Sequence, residues 1–225
     1  MKFADLLAPA PEGLYCPPGD FYIDPVRPVP RALITHAHAD HARAWHGTVL
    51  ATRETLEIMG IRLGAGFAGS TQIAKLGETI AIGNTEVSFH PAGHVLGSAQ
   101  IRVAHGGVAI VAAGDYTRTP AATCAPFEPV PCDVFITEAT FGLPVFRHPD
   151  PAGEIARFLA SLAQFPERTH LVGVYALGKA QRLIALLRAA GYDAPIYIHG
   201  ALRRLCDYHA EQGIDLGELQ DATLE

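Results

Sequence analysis

The sequence predicts an α/β protein in two parts, because hairpins and strands fill the first part and strand–helix alternation fills the second. Two hairpins mark the first part, one turning at 83–84 and the other at 105–107. From about residue 150 onward, helices alternate with short apolar strands, which is the pattern of a parallel sheet covered by helices. We therefore predict two domains, spanning 1–143 and 144–225.

The first part is predicted to consist of strands joined by loops that carry polar residues. Prolines are dense between 9 and 31, and because proline interrupts both ladders and helices, we expect short strands and turns there. An apolar strand at 32–34 precedes a histidine-rich turn. A helix is expected over 52–59, followed by a glycine-rich loop over 60–70. Another apolar strand is expected over 132–137.

The second part is predicted to be a small layered α/β unit. Helices are expected at 151–163, 179–190 and 201–212, with strands at 170–175 and 196–198. The helix over 179–190 carries apolar residues along one face, and a glycine follows it as a stop signal. No internal repeat or low-complexity tract interrupts this alternation.

Composition excludes several classes of protein. Apolar residues make up 49% and charged residues 18%, as in a globular protein with a buried core. The net charge of −6 provides no overall basic field, so binding to a polyanion requires a local site. No apolar run approaches the roughly 20 residues that cross a membrane, and the four cysteines form no C-x-x-C pair. We predict a cytoplasmic protein with reduced thiols and no membrane partner.

The turn after the strand at 32–34 concentrates residues that bind metals. His36, His38, Asp40 and His41 fall within six positions. A strand directs alternate side chains to opposite faces, so the chain must leave the strand at His36 for these groups to converge. Neutral imidazoles and carboxylates at a strand end are ligands for zinc or a similar divalent ion. Four such side chains in six positions make a chance cluster improbable, and we predict a metal site.

Two later loops add candidate ligands, each after an apolar strand and beside glycine. These are His94 and Asp115, which bring the set to six. Six ligands exceed the four that one tetrahedral zinc takes, which indicates two ions. In the predicted division, one ion is held by His36, His38 and His94. The other ion is held by Asp40 and His41, and Asp115 bridges the two ions. Paired ions about 3.5–4 Å apart activate a shared water and stabilise both oxygens in a displacement, which is hydrolytic chemistry.

The spacing H-x-H-x-D-H at 36–41, followed by His94 and Asp115, resembles the metallo-β-lactamase superfamily. The resemblance implies an αββα sandwich that binds metal. It leaves the substrate open, because the superfamily also includes thioester hydrolases, lactamases and flavodiiron proteins.

Further stretches are similar to motifs of the β-CASP branch, the nucleases of RNA 3′-end processing and DNA repair. These are AGHVLGS at 92–98, EATFG at 138–142 and YALGKAQ at 175–181. The segment GLYCPPGDFYIDP at 13–25 is similar to the start of the bacterial ligase-associated DNA exonucleases. The resemblance therefore extends over nearly the whole chain.

The resemblance implies that 1–143 is the N-terminal part of a metallo-β-lactamase domain and that 144–225 is part of an inserted β-CASP α/β domain. The branch carries two more histidines after the insert, one for the second metal and one as leaving-group acid. Neither has an evident counterpart before Glu225. We therefore predict a C-terminally truncated chain whose sandwich is incomplete, whose first metal position is loadable and whose second is weak.

The implied activity is metal-dependent hydrolysis of nucleic acid by attack of a metal-bound hydroxide, with DNA expected rather than RNA. The role implied is that of a repair exonuclease associated with a DNA ligase and a helicase. Two divalent ions are expected as cofactors, zinc first and manganese as the alternative. Asp40 would hold its metal and align the hydroxide, and Glu138 would orient a histidine near the leaving group. Lys179, at a predicted helix N-terminus, is either a phosphate contact or a solvated lysine.

Two other interpretations remain open. The first is a hydrolase of small esters or thioesters on the same metal site; Glu138 and the segment after 143 count against it, because a small substrate needs no added layer. The second is an inactive metal-binding fragment, which the expected truncation would produce.

Overall fold

The structure of the chain is a computed structural model that describes residues 2–222, so Glu225, where we expect truncation, lies outside the described residues. The chain divides into two compact units, Met1–Glu138 and Ala139–Glu225. The assignment of 1–143 and 144–225 to two named domains stays a prediction.

The first unit contains two mixed β-sheets. In the first sheet six strands lie in chain order, antiparallel from β1 to β3 and parallel from β3 to β6. Its strands are β1 (Ala8–Ala10), β2 (Gly13–Cys16), β3 (Phe21–Ile23), β4 (Arg31–Leu33), β5 (His46–Ala51) and β6 (Ala68–Ile73).

The second sheet has the order β11-β10-β9-β8-β7 and is built on the two predicted hairpins. The turns at 83–84 and 106–107 include glycines with positive φ, as two-residue hairpin turns require. The last strand, β11, joins in parallel beside β10. Its strands are β7 (Thr79–Ile82), β8 (Thr85–Pro91), β9 (Ala99–His105), β10 (Val108–Ala112) and β11 (Val134–Ile136).

One apolar core joins the two sheets. It combines Leu33 and Leu50 of the first sheet with Val87, Phe89 and Ile101 of the second, all fully buried or nearly so. Because the sheets share this core, they pack as the two central layers of a sandwich. The predicted sandwich of the metallo-β-lactamase type is therefore the observed architecture of this unit.

Two helices flank these sheets. The short α1 (Phe3–Leu6) packs against β9 and β10, and α2 (Arg53–Leu63) packs against β6. Thr52 caps α2 by accepting a hydrogen bond from Thr55 N–H at 3.2 Å. The helix runs four residues beyond the predicted end at 59, and β6 begins at Ala68, so the predicted loop over 60–70 is wrong at both ends.

The second unit is a small α/β layer. Three helices accompany a pair of parallel strands, and its small core contains Ile184, Ile198, Cys206 and Leu216. The strand predicted over 170–175 is wrong: this segment has no strand pairing, and Leu171 is 91% exposed. The elements are α3 (Pro151–Gln164), α4 (Lys179–Ala189), β12 (Ile196–Ile198), α5 (Gly200–Glu211) and β13 (Leu219–Asp221).

Within residues 2–222, none of the helices combines the length and apolar character needed to span a bilayer.

Candidate metal centre

Three connections of the sandwich unit bring the candidate ligands together. The turn after β4 carries His36, His38 and His41, the β8–β9 loop carries His94, and the turn after β10 carries Asp115. The first turn is wound tightly, because the N–H groups of His41 and Ala42 both donate to the carbonyl of His38, at 3.1 and 2.8 Å. Residues far apart in the chain therefore share one edge of the sandwich.

Three histidine nitrogens converge on one point. His38 Nδ1 lies 3.0 Å from His36 Nε2 and 3.1 Å from His94 Nε2. Asp115 Oδ2 lies 3.5 Å from His94 Nε2 and 3.8 Å from His36 Nε2. Ligand atoms of all four side chains lie within 4.8 Å of one another. We call these four residues the histidine trio and its carboxylate.

The spacing of these atoms fits a tetrahedral zinc-type site. Nitrogen and oxygen ligands about 2.0–2.2 Å from zinc stand roughly 3.3–3.6 Å apart at the corners of a tetrahedron. The separations of 3.0, 3.1, 3.5 and 3.8 Å bracket that range. Three imidazoles and a carboxylate are also a donor set that divalent transition metals accept. The residues present therefore fit a metal ion.

A hydrogen-bonded relay fixes the orientation of His36. Thr35 Oγ1–H donates to Asp24 Oδ2 at 2.6 Å, and Thr35 Oγ1 lies 3.1 Å from His36 Nδ1. Since the hydroxyl has one proton and gives it to Asp24, His36 Nδ1–H must be the donor to Thr35. The Nε2 lone pair of His36 therefore faces the trio, which is the tautomer that a metal ligand needs.

Asp24 is a functional residue that the sequence analysis does not single out. Its Oδ1 accepts from Thr35 N–H at 2.8 Å, and its Oδ2 accepts from His41 Nδ1 at 2.8 Å. Asp24 has a φ of 44°, in the left-handed region where only Asn, Asp and Gly are common. These bonds hold it in that conformation, and it supports both ends of the histidine turn.

Asp115 connects the trio to the other predicted ligand pair. While its Oδ2 faces the trio, its Oδ1 lies 3.3 Å from His41 Nε2. His41 Nε2 is also 3.8 Å from Asp40 Oδ2, and the Asp40 side chain is 76% exposed. The two carboxylate oxygens thus point to different groups of ligands, as a bridging residue would.

His36 and His94 of the trio differ from His41 in their protonation. Burial holds the pKa of His36 well below its usual value, and neighbouring histidines lower it further. Burial and His38 likewise lower the pKa of His94. For His41 burial also lowers the pKa, but its bonds to Asp115 and Asp24 outweigh burial and raise the pKa to about 10. The lowered pKa values keep the imidazoles of His36 and His94 neutral at pH 7, whereas His41 carries a proton that an ion must displace.

The loops that carry His94 and Asp115 depend on close backbone packing. Ser98 Oγ accepts from the N–H groups of His94 and Val95, both at 3.1 Å, which fixes the turn that presents His94. Gly114 has a φ of 56°, and a Cβ there would lie 2.6 Å from Thr35 Oγ1. Glycine is therefore required where the Asp115 turn passes the relay.

The remaining predicted residues have defined surroundings. Glu138 is partly buried, and its charge raises the pKa of His94 against the larger effects that lower it, which puts this carboxylate near the trio. Arg62, which the sequence interpretation passed over, donates to the carbonyl of Ala37 inside the histidine turn. In the second unit, Lys179 is exposed at the first position of α4, and its ammonium lies 4.9 Å from the ring centroid of Tyr175.

Comparison with known proteins finds relatives among nucleic-acid-processing proteins. The chain is 30% identical over 213 residues to a probable DNA ligase of Opitutus terrae, covering 90% of this chain and 20% of that protein. It is 28% identical to cleavage and polyadenylation specificity factor subunit 3 of Dictyostelium discoideum, covering 77% and 27%. Identity to the endoribonuclease YSH1 of Gibberella zeae is 29%, covering 88% and 29%. The chain thus spans between a fifth and about three tenths of these curated relatives.

A solved structure gives the same picture of the fold. A protein of unknown function from Enterococcus faecalis superposes with a TM-score of 0.57 at 15% identity, over 87% of this chain and 52% of that one. No family model matches the chain. The motifs, the sandwich and the relatives nevertheless agree, and the chain is a homologue of the β-CASP nucleases of the metallo-β-lactamase superfamily.

Proposed function

We propose that this chain carries the metal site of a nuclease that hydrolyses phosphodiesters in nucleic acid, in the manner of a DNA exonuclease in repair. The observation that carries the proposal is the convergence of His36, His38 and His94 on one point, with Asp115 extending from that point toward His41. The likeness to a probable DNA ligase of Opitutus terrae favours DNA and an association with ligation. Association with a helicase is proposed from the family resemblance alone.

We assign the histidine trio and Asp115 to a first divalent ion, and Asp40, His41 and Asp115 to a second. Zinc is the proposed metal, since three imidazoles and carboxylates suit it, with manganese as the alternative. Bound ions of this kind supply an activated water and neutralise negative charge that develops on a phosphoryl group.

The chain's own residues position and tune this centre. Asp24 and Thr35 hold His36 in the tautomer that presents its Nε2 lone pair. Asp40, largely exposed beside His41, is placed to accept a hydrogen bond from an attacking water and align it. Glu138, whose charge raises the pKa of His94, is proposed to orient a histidine that acts near the leaving group. Lys179 is proposed to contact a substrate phosphate, because the positive end of the helix dipole at the start of α4 reinforces its charge.

The test is a substrate panel. Metal-loaded protein is incubated with labelled single-stranded DNA, single-stranded RNA and a thioester, each with zinc or manganese. We expect cleavage of DNA that is lost in His94→Ala and retained in His105→Ala, a histidine on the far hairpin. Thioester cleavage with intact nucleic acid would instead support a small-ester hydrolase. Bound metal with no turnover of any substrate would support a metal-binding module without catalysis.

A further inference from the structure

Trp45 is an exposed side chain that packing does not explain. It is the single tryptophan of the chain, and it is 76% exposed, although tryptophan is among the most buried residues on average. Among the residues that the structure describes, no aromatic ring or cation stacks on it. The ring therefore contributes little to the core.

The backbone at Trp45 is strained. Three non-glycine residues among those described have a positive φ: Asp20, Asp24 and Trp45, the last at 74°. Aspartate tolerates this region, and both aspartates accept hydrogen bonds there, whereas a bulky aromatic residue in it is a genuine outlier. Strain of this kind persists where the surrounding structure imposes it, and it clusters at functional sites.

The surrounding structure does impose it. Trp45 N–H donates to the carbonyl of Phe67 at 2.6 Å. The next residue, His46, is fully buried, and its Nδ1 accepts a hydrogen bond from Val29 N–H at 3.3 Å. Gly47 N–H donates to the carbonyl of Val29 at 2.9 Å. Trp45 and the two residues that follow it are thus fixed by hydrogen bonds, and the exposed ring is carried on a defined backbone.

Trp45 also lies close to the metal centre along the chain. Three residues separate it from His41, and the four Cα–Cα steps between them span at most roughly 14 Å. That distance corresponds to roughly four stacked nucleotides of one strand. The exposed Arg43 lies between them in sequence. With a net charge of −6, the chain needs local contacts to retain a polyanion, and stacking on an aromatic ring is such a contact.

From these observations we infer that Trp45 is a stacking platform for a base of single-stranded nucleic acid, a few nucleotides from the bond that the metal centre cleaves. This inference rests on the proposed function, because the metal centre is what the bound strand runs toward. Stacking of a base on Trp45 itself requires no metal. Stacking is tolerant of sequence because every base has a π-face, so the platform would retain strands without selecting a base.

The single tryptophan gives a direct readout. Metal-free protein, which cannot turn over substrate by the proposed route, is titrated with oligodeoxythymidine while the Trp45 fluorescence is recorded. An abasic oligomer of equal length is the matched probe. We expect quenching by oligodeoxythymidine and none by the abasic strand. Equal quenching by the two strands, or quenching by neither strand, would overturn the inference.

Affinity and stability variants complete the test. By fluorescence anisotropy of a labelled strand, Trp45→Ala should bind about 5- to 150-fold more weakly, and Phe3→Ala, an exposed aromatic control, should be unchanged. Trp45→Asn, which suits a positive φ, should keep or raise the Tm. Affinity of Trp45→Ala within twofold of the parent, or a Tm lowered by more than about 4 °C in Trp45→Asn, would overturn the inference.

Nuclease assays separate this inference from the proposed function. If strands quench Trp45 but no substrate is cleaved with metal, the platform holds and the proposed hydrolysis fails. If DNA is cleaved equally well by the parent and Trp45→Ala, with equal KM, the hydrolysis holds and the platform fails.

Discussion

The two halves of the candidate centre differ in how much of their geometry exists before an ion binds. The trio is largely shielded from solvent, its nitrogens already converge, and the relay through Thr35 sets the tautomer of His36. The other pair has an exposed carboxylate, Asp40, and a protonated imidazole, His41. An ion entering the trio therefore finds its ligands in place, whereas an ion at the pair must order Asp40 and displace a proton.

That difference has an energetic scale. Deprotonating His41 at pH 7.5, with its pKa raised to about 10, costs about 3 kcal/mol before any metal–nitrogen bond forms. The trio has no such cost at His36 and His94, whose pKa values burial lowers. Pre-arranged ligands thus distinguish the two positions even though each offers histidine and carboxylate.

Removing a ligand from the trio should abolish the first position. His94→Ala deletes one of three convergent nitrogens, so we expect metal affinity there to fall by more than the about 100-fold that loss of a supporting residue can cost. Competition with a chromogenic chelator measures this affinity. His105→Ala is the matched histidine control. An affinity in His94→Ala within tenfold of the parent would place the first ion elsewhere.

Raising the pH should strengthen the second position selectively. Below the raised pKa of His41, each pH unit increases its deprotonated fraction about tenfold, so second-ion affinity should rise about 100-fold from pH 7 to pH 9. The trio should change far less, since the pKa values of His36 and His94 are lowered below their usual value. Titrations at pH 7, 8 and 9 check this. An equal rise of metal affinity at both positions would contradict the proposed difference in protonation between them.

Breaking the relay should weaken the trio without removing a ligand. In Asp24→Asn, an amide N–H₂ can face the Thr35 hydroxyl and His41 Nδ1–H, so donors meet donors. We expect about 10- to 100-fold weaker binding of the first ion. Asp20→Asn is the control, because Asp20 also has a positive φ but accepts from Tyr15, outside the centre. Equal first-ion affinities in the two variants would show that Asp24 does not support the trio.

Removing the charge of Lys179 should have the smallest effect. If its ammonium contacts a substrate phosphate at the start of α4, Lys179→Ala should raise KM for DNA by about two- to fivefold and leave kcat unchanged. Lys75→Ala removes an equally exposed charge from the first unit and serves as the control. Matching KM values for the two variants would identify Lys179 as a solvated lysine.

The sequence predicted what is local and missed what depends on pairing. The hairpin turns and the run at 36–41 are encoded within a few residues, and each appears where predicted. Strands β5 and β6 were missed because their stability comes from neighbours in the parallel sheet. The strand predicted over 170–175 failed for the converse reason, since an apolar run does not reveal whether a partner strand lies beside it.

The role of Asp24 illustrates the same limit within the site. Parallel pairing of β3 with β4 sets Ile23 opposite Leu33, and this register brings the next residue, Asp24, beside Thr35. The register between these two strands cannot be read from the spacing of residues in the sequence. The ligands could therefore be predicted from their residue types, whereas the residue that orients them required the fold.

A calorimetric titration of metal-free protein with zinc at pH 7.5 measures the difference between the two positions directly. We expect two resolved steps, a tight first ion that His94→Ala eliminates and a weaker second ion that releases a proton. Two ions of equal affinity, or a tight first ion that survives His94→Ala, would contradict this expectation.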